Sequence, residues 1–128
     1  MFQFYYDTIP YYGSLDAIIP VPTVADACAA VLMGVCNLCH MCSHNYLHSG
    51  DMETLKCLYQ SAFFVLQAKN FEETGDYVKS HSALKNALTG TDLSVSRAAE
   101  QIKTADLSRA ALGAAFETAA PMGASADL

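Results

Sequence analysis

TVADACAAVLMGVCNLCHMCSHNYLHS, residues 23–49, is the stretch on which the fold turns. From Ala27 to Gly50 it carries no Asp, Glu, Lys or Arg, yet it holds His40, His44, His48 and four of the five cysteines. Thr23 follows Pro22 and is placed to cap a helix from Val24 to about Tyr46 or His48. Such a helix of ~25 residues is ~38 Å long. Apolar residues occupy most of its circumference, the pattern of a central bundle helix buried on several sides. Gly34 offers a neighbouring helix a close approach. A membrane span is not expected. The uninterrupted apolar run, Ala27 to Val35 or at most Cys42, falls short of the roughly 20 residues a bilayer requires, and no basic cluster flanks it.

Downstream, Ser49-Gly50-Asp51 is a turn, with Gly50 ending one helix and Asp51 capping the next. A second helix is predicted from Met52 to Thr74, where Leu55, Leu58/Tyr59, Ala62 and Val65/Leu66 step at helical spacing before Gly75. A third runs from about Tyr77 or Ser80 to Leu88, a fourth from Leu93 to Thr104, and a fifth from Leu107 to Ala119. Upstream, residues 1–22 place Tyr5, Tyr6, Tyr11 and Tyr12 around Pro10 and close on Pro20 and Pro22, which favours extended backbone. The fold class expected is all-α: an antiparallel four- to five-helix bundle. Its parts are an extended aromatic N-terminal arm or linker (1–22), the bundle (23–119) and a tail (120–128).

The bulk numbers agree with one globular domain. The 128 residues are 52% apolar, too hydrophobic for a disordered chain. Thirteen acidic against seven basic residues give a net charge of -6, which excludes a surface that tracks nucleic-acid phosphates. A small nucleotide in a pocket is compatible with that balance. Met1 to Pro10 has no basic or apolar leader pattern, so the five cysteines are expected as reduced thiols in a cytoplasmic setting.

Three constellations bear on chemistry. Cys36-Asn37-Leu38-Cys39-His40 has the spacing of a c-type haem attachment site. Without an export pattern, though, its cysteines read as small apolar residues packed on a buried helix. Cys36, His40, His44 and His48 form an i, i+4 ladder, and adjacent members can chelate zinc or a similar ion. One helix cannot close a tetrahedral site, so Cys57 or His81 would have to complete it. The alternative is that His40 and His44 are hydrogen-bonded packing residues, with no cofactor. A cysteine beside a histidine also has the elements of a nucleophile, but an apolar helix keeps thiols protonated and inert. No Gly-rich phosphate loop is present. Gly13-Ser14 is not followed by the Asp-x-Asp pair of a nucleotidyltransferase metal site.

The segment Tyr59 to Leu84, YQSAFFVLQAKNFEETGDYVKSHSAL, resembles the HEPN family of helical nucleotide-binding domains. The likeness lies in an aromatic-rich helix that stops at Gly75, with Ser80-His81-Ser82 opening the next helix and Leu84 upon it. It covers about 26 of the 128 residues. The resemblance implies an antiparallel helical core, often a homodimer, belonging to one of two branches. Ribonuclease members carry an Arg followed four to six residues later by a His. Here all four histidines precede both Arg97 and Arg109, so the accessory branch, partnered with a nucleotidyltransferase domain or subunit, is the one implied. On that reading Tyr59, Phe63, Lys79 and His81 line a ligand groove, with Lys79 contacting an anion. The function expected is thus a non-catalytic accessory domain, binding a nucleotide or a protein partner. A metal- or haem-binding bundle and a structural oligomerisation domain are the alternatives.

Overall fold

The computed structural model describes residues 2–104, and these contain no β-strand. Five α-helices follow in order: α1 (Phe2–Asp7), α2 (Val24–His44), α3 (Met52–Thr74), α4 (His81–Ala87) and α5 (Gly90–Thr104). A 3-10 turn lies at Leu15–Ala17 and a π-helical turn at Asn45–Ser49. The all-α bundle is as expected. The fifth helix anticipated over 107–119 and the tail lie outside the described residues.

Local chemistry fixes the helix ends. Thr23 and Asp26 form a reciprocal capping box, the Thr23 amide donating to the Asp26 carboxylate at 2.7 Å and the Asp26 amide to the Thr23 hydroxyl at 3.3 Å. These bonds from Thr23, backbone first and then hydroxyl, hold the Asp26 carboxyl below its usual range. Asp51 caps α3 by accepting from the Thr54 amide at 2.7 Å. At the other end Gly75 takes φ 77°, a left-handed conformation that a side chain would strain.

The hinge between α2 and α3 is more elaborate than the simple turn the sequence predicts. Gly50 donates its amide to the Asn45 carbonyl at 2.6 Å, five residues back, widening the last turn of α2 into a π turn. The Asn45 side chain is buried. Its amide donates to the Asp51 carbonyl at 2.9 Å, and its oxygen accepts from the Asp51 amide at 3.0 Å. That two-way clamp satisfies a buried amide and locks the widened turn to the start of α3.

α3 is the hub, since α1, α2, α4 and α5 all pack on it. Its buried face comprises Leu55, Leu58, Tyr59, Ala62, Val65, Leu66, Gln67, Ala68, Asn70 and Phe71. The main core joins this face to Val35 of α2, Leu84 of α4, Leu88, and Val95 and Ile102 of α5. Lys69 reaches Asp92 at 2.7 Å and Lys85 reaches Glu100 at 2.6 Å, tying α5 to α3 and α4. Gly34 does bring α2 close. A Cβ built there would sit 2.5 Å from Cγ2 of Val65.

Two expectations need correction. First, the arm is not extended at its start. Phe2–Asp7 is helical and docks in a smaller core, where Phe2 meets Phe71 and Tyr77 edge-on and Tyr6 stacks on Tyr77 at 4.4 Å. Burial of this aromatic face outweighs the turn-rich composition around it. Second, residues 23–49 are not the buried centre of the bundle. Only Ala27, Val35 and Cys42 of α2 are buried, and just 11% of its most apolar window is covered. α2 docks along α3 and, near its start, on the short α1, which covers one stripe and leaves the rest of its apolar surface in solvent.

Candidate functional site

Two surfaces merit description. The first lies between α3, α4 and α5. Lys56, Tyr59, Gln60 and Phe63 step along one face of α3 at helical spacing. Val95, Ser96, Ala99 and Glu100 of α5 face them, and His81 closes one side. Two buried amides hold His81 in place from a distance. Gln67 donates to the Val78 carbonyl at 2.9 Å and Asn70 to the Asp76 carbonyl at 3.2 Å, which presses the 75–80 connection onto α3. Ser80 then caps α4, and the His81 ring stacks on Phe63 with centroids 3.4 Å apart and planes 9° from parallel.

Three of the four groove residues read from the sequence therefore come together: Tyr59, Phe63 and His81. Lys79 does not join them. It is exposed on the connection and is not among the lining residues. Lys56 lines the groove and is ion-paired to Glu53 at 2.7 Å, and Lys85 pairs with the lining residue Glu100 at 2.6 Å. Tyr59 is 4% exposed, and burial followed by the nearby Cys42 pushes its phenol up to about 12, so it is a neutral hydroxyl at physiological pH. The cavity is about 30 Å³, room for a water or two rather than a nucleotide. Sequence reasoning missed the α5 wall. Its small residues, Ser96 and Ala99, carry no signal of their own until α5 is placed. Lys56 and Gln60, by contrast, are legible as helical neighbours of Tyr59 and Phe63.

The second surface is the outward face of α2. Cys36, His40, His44 and His48 are all exposed, so the ladder lies in solvent and not in the packing role considered for His40 and His44. The His44 and His48 ring centroids are 5.0 Å apart and those of His40 and His44 6.5 Å. Cys57 is exposed on α3 and His81 is stacked on Phe63, and among the described residues no three His, Cys, Asp or Glu side chains are grouped to hold a metal. Of the haem-pattern residues, Cys36 and Cys39 are exposed, while Cys42 beyond them is buried and its thiol is raised by desolvation and by Cys39. Exposed Met33, Met41, Tyr46 and Leu47 lie on the same helix and π turn, with exposed Val24 at its start, and Phe64 of α3 lines a groove with Met41. A groove of about 280 Å³ between α2 and α3 opens onto the same region, lined by Gly34, Leu38, Met41, Leu58, Phe64 and others.

α2 with its π turn is long and apolar enough to cross a membrane. In this fold, however, it is paired along its length with α3, whose Glu53, Lys56, Lys69 and Glu72 would have to enter the bilayer with it. No protein-family model, curated protein or solved structure matches the chain.

Proposed function

We propose that this is a non-catalytic interaction module that self-associates through the outward face of α2. One observation carries the reading: the long apolar helix α2 buries only three of its 21 residues, and with its π turn it leaves Met33 68% and Leu47 67% exposed. Exposed apolar patches of this extent mark contact surfaces. The occupant that fits is a second copy. The chain bears a net charge of -6, but between Val24 and Ser49 the only acidic or basic side chain besides the histidines is Asp26. Two copies can thus meet on this face without the repulsion that the rest of the acidic surface imposes. A two-fold axis running beside α2 sets the ridge Ala29, Met33, Cys36, His40 and His44 against its own counterpart, as in a parallel coiled coil.

Val24–Ser49 is ~39 Å long and its outward side offers on the order of 400 Å² per copy, below the ~800 Å² per partner of a tight complex. Association is therefore weak, with Kd on the order of 10–100 µM. Sedimentation of the chain in EDTA tests this. The mass should rise with concentration from 13.8 kDa towards twice that value, and Met33→Glu or Leu47→Glu should hold it at the monomer. A monomer at all concentrations, or flotation of the protein with lipid vesicles in place of dimerisation, overturns the reading.

A second reading has its own support in the convergence of Tyr59, Phe63 and His81. It is the accessory role implied by the HEPN resemblance, beside a nucleotidyltransferase. The stacked Phe63–His81 pair is a platform for a flat ring once the groove opens. ATP, GTP or a short RNA should then raise the melting temperature, and Phe63→Ala should cancel the rise. An unchanged melting temperature with all three ligands removes this reading.

A further inference from the structure

The Cys/His ladder is incomplete on one chain in a specific way. Two imidazoles on one tetrahedral ion, with nitrogen–metal bonds of about 2.0–2.1 Å, place their ring centroids about 5 Å apart. His44 and His48 already stand at 5.0 Å, and His40 is one turn further along the same exposed face. The pair is held by built structure. The π turn that carries His48 is closed by the Gly50–Asn45 bond and clamped by the buried Asn45 amide on Asp51. π turns recur at functional sites because they re-aim side chains within an otherwise regular helix. What the chain lacks is a second pair of ligands, since no third donor is grouped with these two among the described residues.

We propose that His44 and His48 are half of a zinc-type metal site, completed by the same two histidines of a second copy. The inference rests on the self-association above, since a two-fold axis beside α2 brings each pair to its counterpart. Four neutral imidazoles make a ligand set suited to Zn²⁺, and also to Cu²⁺ and Ni²⁺. Each copy contributes a chelating pair whose two ring centroids already stand at the spacing the ion requires. The ion supplies the affinity that the modest apolar ridge does not.

The test uses the full chain, free of any affinity tag and stripped with EDTA, with Zn²⁺ alone as the probe. Calorimetric titration should give one ion per two chains, and zinc should tighten dimerisation by about tenfold or more, about 1.4 kcal/mol. His44→Ala and His48→Ala, both at exposed positions, should lose zinc binding with an unchanged helical circular dichroism spectrum, while His81→Ala should retain it. Absence of zinc binding overturns the proposal, as does one ion per chain with an unchanged monomer mass, or wild-type binding by His48→Ala. The two ideas fail separately. A dimer in EDTA that ignores zinc removes only the metal site, and a chain monomeric in EDTA that dimerises with zinc removes only the apolar contact.

Discussion

α2 and α3 are antiparallel neighbours of similar length, and their sequences give opposite impressions of where each belongs. α2 has one carboxylate, Asp26, in 21 residues; α3 carries Glu53, Lys56, Lys69, Glu72 and Glu73 in 23. Yet ten residues of α3 are buried and three of α2. Burial follows position in the bundle: α3, packed on by four helices, is covered, and α2, whose main contacts are α3 and the short α1, is not. An apolar helix left uncovered is then a statement about what the chain meets, which is why the more hydrophobic element is read here as the interface and the less hydrophobic one as the core.

Substitutions on the two helices should break this symmetry of appearance. The largest effect is expected at the hub. Leu66→Ala, at a side chain only 1% exposed, should cost about 3–4 kcal/mol in urea unfolding. Met33→Ser on α2 should change stability by no more than about 0.5 kcal/mol while weakening the dimer. Equal losses at the two sites would dissolve the distinction. Where the helices touch, Gly34→Leu drives a side chain into buried Val65 and should cost about 2–3 kcal/mol, since that stiff β-branched neighbour has little room to yield.

The alkaline limb of stability reports on α3 in turn. Tyr59 has its pKa raised to about 12 in the folded chain. The folded state thus holds its proton more tightly than the unfolded state, whose phenol titrates near 10. Stability from this group is fully present below pH 10 and is lost as pH rises through 12, a decline of about 2 kcal/mol. Tyr59→Phe should flatten it. Tyr77, raised by burial and its bond to Asp7, adds a decline in the same direction. A smaller loss than at the hub is expected at a helix end: Asp51→Ala should cost about 1 kcal/mol through the lost cap on Thr54.

Much of this was legible beforehand. The helix boundaries at Thr23, Asp51 and Gly75 follow from capping chemistry, and the close approach at Gly34 from the missing side chain. The grouping of Tyr59, Phe63 and His81 is an expectation from the HEPN resemblance; helical spacing sets Tyr59 and Phe63 on one face of α3, while the approach of His81 depends on the path of the 75–80 connection. The solvent exposure of α2 was not legible, since periodicity shows which face is apolar and not how many neighbours arrive to cover it. Lys79 lies exposed on the six-residue connection pinned by Gln67 and Asn70, outside the lining of the groove that His81 enters, and the path of such a connection has no signature in the sequence. The π turn also had no sequence signal, although Asn45, a buried amide beside two histidines, is the residue that makes it.

Hydrogen–deuterium exchange of the metal-free chain, at about 5 µM and about 300 µM, tests the contrast between the helices most directly. Amides of residues 60–71 in α3 should be strongly protected at both concentrations, and those of residues 29–44 in α2 should gain protection only at the higher one. Protection of α2 that is already as high as that of α3 at the lower concentration, or that does not change between the two, would contradict the assignment of α3 as core and α2 as interface.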